Sequence, residues 1–290
     1  LVAFFIYFSF VIQSIMKSDA PIGIFDSGYG GLTILSEIKK ALPEYDYLYL
    51  GDNARTPYGS RSFNVVYEFT LEAVKELFSR GCELIILACN TASAKALRTI
   101  QQEYLPTIDS NKRVLGVIRP SIEAISEITT TNHIGILATE GTVKSNSYPI
   151  ELLKINPNLK VVQHACPMWV PIIENNKHNT EAGKLFIKED LDELLENDSA
   201  IDSIILGCTH YPIIKDYIES VVSKSIKVIS QGSIVASKTK EYLWRHKALE
   251  ARCSKNGIVQ YLTTENSADF DQQASLFLGE EVKSMHIKLG

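Results

Sequence analysis

The chain has 290 residues, 45% of them hydrophobic and 22% charged, so it is long enough for two modest domains with separate cores. Its 29 Lys and Arg residues and 34 Asp and Glu residues give a net charge of −5 with no basic block, which argues against nucleic acid as a partner. The five cysteines are odd in number and widely spaced, which is typical of free thiols and predicts a cytoplasmic protein.

Residues 1–15 form an almost wholly apolar stretch, and the first charged residue is Lys17. The stretch is shorter than the ~20 residues of a membrane-spanning helix, and it lacks the basic start and the cleavage site of a signal peptide. Met16 reads like an ordinary protein start just before the first predicted strand. We therefore interpret residues 1–16 as a start-site artefact or a disordered extension, with a membrane anchor as the alternative, and we expect no membrane as the primary partner.

Short apolar runs alternate with amphipathic segments along the rest of the chain, which predicts parallel sheets in an α/β architecture. The first half is predicted to contain strands near 22–25, 47–50, 84–87 and 114–118 and helices over 32–42, 63–80, 93–104 and 119–128. The second half is predicted to contain strands at 133–138, 161–165, 203–207 and 227–230 and a charged helix over 181–195. The remainder, expected to return to the first half, is predicted to form a helix over 235–244, a strand over 259–263 and a helix over 268–278.

Two short phrases occur twice, which predicts a duplicated unit. An apolar run that leads to Cys89 recurs as a similar run that leads to Cys208, 119 residues later. Gly23, in the first predicted strand, has its counterpart in Gly135, 112 residues later. The similar offsets favour one repeat, although any two α/β units share strand–glycine–helix patterns. Because open α/β sheets bind ligands at the carboxyl ends of their strands, the repeat predicts a site with a cysteine on each side.

Two thiols on opposite faces of a substrate carbon would allow stereochemical inversion without a cofactor. A thiol serves as an acid or a base because its pKa, near ~8.5, is readily moved by its neighbours. One cysteine would remove a proton, and the other would return a proton to the opposite face. Asp26 is predicted to orient Cys89, and His210 is predicted to assist Cys208. The sequence contains no Walker loop or dinucleotide fingerprint, so no nucleotide cofactor is indicated.

Other interpretations of these residues stay open at this point. Cys208 with His210 fits a Cys–His hydrolase, which would leave Cys89 without a role. The same pair lacks the spacing and the second cluster of a zinc site, so no metal ligand is predicted. Asp26 alone is compatible with a helix cap. The remaining cysteines are interpreted as small buried hydrophobic side chains: Cys82, Cys166 and Cys253.

Five phrases of the sequence resemble the glutamate racemase family, within the cofactor-independent aspartate/glutamate racemase superfamily. They follow the family's order, and the resemblance covers the chain from about residue 21 to its end. Any one phrase is only suggestive, but the combination is highly specific. The phrases are 23–32 (GIFDSGYGGL), 51–59 (GDNARTPYG), 88–92 (ACNTA), 137–143 (LATEGTV) and 206–212 (LGCTHYP).

The resemblance implies the interconversion of L- and D-glutamate, without a cofactor, to supply D-glutamate for bacterial peptidoglycan. It implies two similar α/β domains, with mainly parallel sheets flanked by helices, that are related by pseudo-twofold symmetry around an interdomain active-site cleft. The first domain would comprise residues 17–117 and 229–290 and carry Cys89, and the second would comprise residues 118–228 and carry Cys208. The expected partner is a small-molecule substrate, and a homodimer is compatible with the resemblance.

Site residues carry over from the matching phrases. Cys89 and Cys208 would be the two acid–base residues. Glu174, in the separate phrase 171–174 (PIIE), resembles the family carboxylate that assists near the second cysteine. The substrate would contact Asp26, Ser27, Tyr58, Gly59, Asn90, Thr91, Thr139, Thr142, Thr209 and His210. One departure concerns residues 119–121 (RPS), which stand where the family more often shows an acidic residue followed by Pro-Gly. The charge near the expected hinge therefore differs from that of the family.

Rival functions differ in what they predict. A racemase of aspartate or of another amino acid would differ in the size of its pocket. A thiol hydrolase would release a hydrolysis product. A binding protein on a racemase scaffold would bind the substrate without turnover.

Overall fold

The computed structural model of the protein describes residues 20–109 and 111–290. The predicted extension at residues 1–16 lies outside these ranges. None of the helices in the described part of the chain combines the length and the apolar character needed to cross a membrane.

The first sheet contains six parallel strands among the described residues, namely β1 (Ile22–Asp26), β2 (Tyr47–Gly51), β3 (Leu84–Leu87), β4 (Arg113–Gly116), β9 (Val259–Thr263) and β10 (Ser284–His286). Their order in the sheet is β10-β9-β2-β1-β3-β4. The central strands β1 and β3 are buried and, apart from Asp26 at the end of β1, consist of apolar residues and glycine, as expected for a parallel sheet that is covered on both faces.

The second sheet contains four parallel strands within the described ranges, namely β5 (His133–Ala138), β6 (Lys160–Ala165), β7 (Ser203–Gly207) and β8 (Lys227–Ile229). Their order in the sheet is β6-β5-β7-β8. This order matches the order β2-β1-β3-β4 of the first sheet, so β5 corresponds to β1 and β7 corresponds to β3. The strands that share the duplicated phrases therefore hold equivalent positions in the two sheets.

Helices flank both sheets. They are α1 (Gly31–Ala41), α2 (Phe63–Ser79), α3 (Asn90–Lys95), α4 (Leu97–Thr99), α5 (Ile118–Ile128), α6 (Glu140–Ser145), α7 (Ser147–Ile155), α8 (Trp169–Glu174), α9 (Glu181–Asn197), α10 (Lys215–Val221), α11 (Gly232–Arg245), α12 (Lys247–Glu250) and α13 (Ser267–Leu278). Short 3-10 turns occur at Asn53–Arg55, Leu105–Thr107 and Tyr211–Ile214.

Each sheet has an apolar core on both of its faces. In β1, Ile22 and Ile24 belong to one core and Phe25 belongs to the other, because neighbouring side chains of a strand point to opposite faces. Helices α1 and α11 cover the first of these cores, and α2 covers the second. The second sheet is covered in the same way, with α9 over one face and α5 and α7 over the other.

The chain passes between the sheets twice. The first crossing follows β4, where Val117 leads into α5, and the second follows β8, where Gln231 leads into α11. Helix α11 packs against α1, and β9 pairs with β2 along the whole strand. The segment after the second crossing therefore completes the first sheet. The boundaries at residues 117/118 and 228/229 stay a prediction.

Two details of the predicted elements were wrong. The predicted helix over 93–104 is interrupted, because α3 ends at Lys95 and α4 is followed by a π-helical turn at Ile100–Tyr104. Apolar periodicity does not separate regular helix from such a turn, since the spacing of the apolar residues changes little. The three-residue strand β10 was missed because it is short and partly exposed.

Candidate active site

The two cysteines of the duplicated phrases line the same pocket between the sheets. Cys89 follows β3 and caps the start of α3, and Cys208 directly follows β7. Both side chains are 6% exposed. Because β3 and β7 hold equivalent positions, the parallel strands deliver the two thiols to one cleft from opposite domains.

Most of the predicted site residues also line this pocket. Those that do are Ser27, Tyr58, Gly59, Asn90, Thr91, Thr139, Thr209 and His210. Asp26, Thr142 and Glu174 lie behind this lining. Each of the three contacts a lining residue through a hydrogen bond.

Cys89 is held in its protonated form. Its sulfur lies 3.5 Å from Ser27 Oγ and 3.5 Å from the backbone nitrogen of Ala92. Burial, reinforced by the negative charge of Asp26, raises the pKa of the Cys89 thiol to about 12. The side chain is therefore a thiol at neutral pH, which suits it to give a proton.

The carboxylate of Asp26 does not act on the thiol through a direct contact. It accepts hydrogen bonds from the Gly28 backbone N–H, at 2.9 Å, and from Thr209 Oγ1, at 3.4 Å. Burial raises the pKa of Asp26, while the nearby His210 lowers it. Among the described residues at the end of β1, Ser27 contacts Cys89. Asp26 connects the end of β1 to the second domain through its hydrogen bond with Thr209.

Cys208, His210 and Glu174 form a chain of contacts on the other side of the pocket. His210 Nδ1 lies 3.8 Å from the Cys208 sulfur, and His210 Nε2 lies 2.9 Å from Glu174 Oε1. Burial alone would lower the pKa of His210, but the Cys208 sulfur and the Glu174 carboxylate raise it to about 10. His210 is therefore an imidazolium at neutral pH, and its Nδ1–H would donate a hydrogen bond to a Cys208 thiolate.

The backbones of the two domains approach closely around the pocket. The Gly141 N–H donates to the Gly59 carbonyl oxygen at 2.7 Å, and Thr33 Oγ1 donates to the Thr209 carbonyl oxygen at 3.0 Å. A Cβ atom at Gly30 would lie 2.3 Å from Thr209 Oγ1, so this position requires glycine for the domains to meet as they do.

Hydroxyl groups from both domains cluster between the cysteines. Thr91 Oγ1 lies 2.9 Å from Thr139 Oγ1 and 3.4 Å from Thr142 Oγ1. These groups donate and accept hydrogen bonds without charge, so they are suited to hold a polar ligand. Thr91 belongs to the first sheet's domain and Thr139 to the second, so a ligand here would contact both.

The Tyr58 hydroxyl is paired with Asp52, a residue that does not line the pocket. It donates to Asp52 Oδ2 at 2.5 Å, and Arg55 Nε donates to the same oxygen at 2.7 Å. Burial and the Asp52 carboxylate raise the pKa of Tyr58. The Tyr58 hydroxyl is therefore already paired, and Asp52 and Arg55 hold the loop that carries this pocket residue.

Cys166, interpreted from the sequence as a small buried hydrophobic side chain, is 1% exposed and packs in the apolar core of the second sheet, and it also lines the pocket. It directly follows β6, next to β5, and burial raises the pKa of its thiol. The strand-end rule that identified Cys89 and Cys208 also applies to this position. Its sulfur and ligand atoms of His164 and Asp190 lie within 4.8 Å of one another, so these residue types could hold a metal ion, although His164 and Asp190 already form an ion pair at 2.8 Å.

Comparison with known proteins assigns the chain to a family. Residues 31–239 match the model of the Asp/Glu/Hydantoin racemase family. The chain belongs to this family. This chain is 37% identical over 266 residues to a glutamate racemase of Geobacter metallireducens. The match covers 91% of this chain and 95% of the relative.

Solved structures of glutamate racemases share the fold. The enzyme of Bacillus anthracis superposes with a TM-score of 0.85 at 34% identity, covering 94% of this chain and 98% of that chain. The enzyme of Francisella tularensis, solved in complex with D-glutamate, superposes with a TM-score of 0.82 at 32% identity, covering 93% and 98% of the two chains. The expected family, the α/β fold and the enzyme class, an amino-acid racemase, are therefore confirmed.

Proposed function

We propose that this racemase interconverts L- and D-glutamate by a two-base mechanism in which Cys89 and Cys208 are the catalytic residues. The observation that carries the proposal is that two thiols, delivered by equivalent strands of matching sheets, line the same pocket. A racemase needs an acid on one face of the α-carbon and a base on the other. The match to glutamate racemases over most of both chains supports glutamate as the substrate.

The proposed step moves one proton off the α-carbon and another onto it. In one direction, the Cys208 thiolate forms an S–H bond with the α-proton, and the electron pair of the broken C–H bond stays on the substrate. Cys89 then gives its thiol proton to the opposite face and becomes a thiolate. In the reverse direction the roles exchange. His210, charged through its contact with Glu174, supports the Cys208 side of this exchange.

Substrate binding is assigned to the polar lining of the pocket. The two carboxylates and the ammonium group of glutamate would contact hydroxyl, amide and backbone groups of Ser27, Tyr58, Gly59, Asn90, Thr91, Thr139 and Thr209. Thr142 and Asp26 would orient their neighbours Thr91 and Thr209. We also propose that the product D-glutamate is used for peptidoglycan synthesis and that the enzyme works in the cytoplasm, where thiols stay reduced.

The test follows glutamate by circular dichroism and by mass spectrometry in deuterated water. L-Glutamate is expected to lose its optical activity and to gain one deuterium at the α-carbon. Cys89→Ser and Cys208→Ser are each expected to lower the racemisation rate by at least about a thousandfold, because each removes one of two required proton-transfer groups. Cys253→Ser, a buried cysteine outside the pocket, is the matched control.

Two outcomes would contradict the proposal. Normal racemisation by either single variant would show that one cysteine is dispensable. Racemisation of L-aspartate, but not of L-glutamate, would leave the mechanism standing and reject the substrate. A thiol hydrolase would instead need Cys208 with His210 and would leave the activity intact in Cys89→Ser.

A further inference from the structure

A closed ring of hydrogen bonds lies next to Cys89, where the chain crosses between the two sheets. Asn90 Nδ2 donates to Gln231 Oε1 at 2.7 Å, Gln231 Nε2 donates to the Tyr148 hydroxyl at 2.7 Å, and the Tyr148 hydroxyl donates to Asn90 Oδ1 at 2.8 Å. Asn90 belongs to the first sheet's domain, Tyr148 to the second, and Gln231 to the second crossing.

The direction of every bond in the ring follows from a backbone carbonyl, which can only accept. The Ser121 hydroxyl donates to the Val117 carbonyl oxygen at 2.8 Å, so Ser121 Oγ must accept from Gln231 Nε2, also at 2.8 Å. The amide nitrogen of Gln231 therefore faces Ser121 and Tyr148, and its oxygen faces Asn90.

The same logic then fixes the amide of Asn90. Its nitrogen must face the oxygen of Gln231, and its oxygen must face the Tyr148 hydroxyl. Rotating the Asn90 amide by half a turn would place its oxygen against the Gln231 oxygen, two acceptors, and would leave buried groups unpaired, which is unfavourable. The hydrogen-bond directions set by the Val117 carbonyl at the first crossing therefore determine the orientation of Asn90, the residue that follows Cys89.

Burial enforces these hydrogen-bond directions. Tyr148 and Ser121 are completely buried, and Asn90 and Gln231 are each 2% exposed, so water cannot readily replace a lost partner. Asn90 nevertheless lines the pocket. Its second Nδ2 hydrogen has no acceptor among the described residues, so the ring determines where that donor points.

We propose that Gln231 is a positioning residue, which sets the orientation of the Asn90 amide and thereby the donor that this amide presents to the substrate. The inference rests on the proposed function, because it assigns Asn90 to substrate binding. Gln231 itself lies outside the pocket lining, so its effect passes through Asn90 and Tyr148.

The test compares Gln231→Leu with Asn90→Ala and with the double variant. Gln231→Leu is expected to lower kcat/KM about tenfold or more, mainly through a higher KM, because the Asn90 donor is no longer directed. In the Asn90→Ala background the same change is expected to have no further effect. The matched control is Thr239→Val, which removes a buried hydroxyl from α11 and is expected to keep the wild-type KM.

A second variant tests the direction of the bonds. Gln231→Glu replaces a donor by a carboxyl group that donates only when it is protonated. Burial raises the pKa of such a carboxyl group, so the protonated fraction grows as pH falls. The activity of this variant relative to wild type is therefore expected to rise as pH falls from about 8 to about 6, whereas the relative activity of Gln231→Leu should stay flat. If Gln231→Leu does not fold, Tyr148→Phe replaces it in these comparisons, because it removes the hydroxyl that links Gln231 to Asn90.

The outcomes separate the inference from the proposed function. Additive effects of Gln231→Leu and Asn90→Ala, or an unchanged KM in Gln231→Leu, would overturn the inference while glutamate racemisation stands. If the wild type does not racemise glutamate, NMR of the Asn90 side-chain amide decides the inference. Two distinct, slowly exchanging amide protons in wild type that collapse or exchange rapidly in Gln231→Leu would support it, and unchanged signals would overturn it.

Discussion

The two catalytic candidates, Cys89 and Cys208, differ in their immediate surroundings. Cys89 is kept as a thiol by burial and by the charge of Asp26. Cys208 has a charged histidine beside its sulfur. The two sides of the pocket are thus unequal, although the two sheets that carry them match.

His210 gives the first prediction at this scale. Its pKa of about 10 in the folded protein exceeds the ordinary value of 6.5, so its charged form stabilises the folded state. This stabilisation is fully present below about pH 6.5 and is lost as pH rises through about 10. Urea unfolding across this range should show a decline in the free energy of unfolding that is smaller in His210→Gln. The exposed His246 provides the control variant, His246→Gln.

His210→Gln should also lower kcat about tenfold or more at neutral pH, because the Cys208 sulfur loses its charged neighbour. An unchanged kcat, or a pH dependence of stability identical to that of wild type, would contradict the role assigned to the contact between His210 and Glu174.

Individual site residues were predictable where they adjoin a recognisable phrase. Ser27, Asn90, Thr91, Thr209 and their neighbours follow strands that the apolar pattern reveals. The contact of Gln231 with Asn90 was not predictable, because the two residues lie 141 positions apart and no local sequence pattern indicates such a contact. The pairing of Tyr58 with Asp52 was missed for a different reason. A tyrosine in a polar loop gives no sign of which way its hydroxyl points.

At the scale of elements, short polar loops after β1 and β7 bring the domains into contact. Gly30 lies in the first of these loops, and Thr209 and His210 lie in the second. Gly30→Ala would place a methyl group 2.3 Å from Thr209 Oγ1 and 2.5 Å from His210 Nδ1. The domains, or the His210 ring, must then shift.

We expect Gly30→Ala to lower kcat by at least about a hundredfold, because a displacement of about 1 Å is enough to misalign proton transfer. Gly28→Ala is the comparison, since its nearest contact would be 3.4 Å and is ordinary packing. Steady-state kinetics of the two variants measure the difference. Equal activity of both variants would show that the close approach of the loops does not position the site.

The strands and most helices were predictable, because apolar runs and amphipathic periods are local properties of the sequence. The helix after Cys89 was predicted as one piece and is broken near Ala96, since the π-helical turn keeps nearly the same apolar spacing. The edge strand β10 pairs with β9 through backbone groups, which leave no mark on the pattern of side chains.

At the scale of the whole molecule, two sheets with the same strand order meet across one pocket. The duplicated phrases predicted this correspondence, because similar offsets place similar strands in similar positions. The strand order itself was not readable from the sequence, since pairing depends on contacts between distant segments. The return of the C-terminal segment to the first half was expected, and the pairing of β9 with β2, in which Val259 lies opposite Tyr47, shows how it is achieved.

The central claim is that the two cysteines approach one substrate carbon from opposite faces. A crystal structure of the Cys208→Ser variant with bound glutamate measures this directly. We expect the Cys89 sulfur and the serine oxygen at position 208 to lie on opposite sides of the α-carbon, each within about 4 Å of it. Both atoms on one face, or glutamate bound away from either position, would contradict the account.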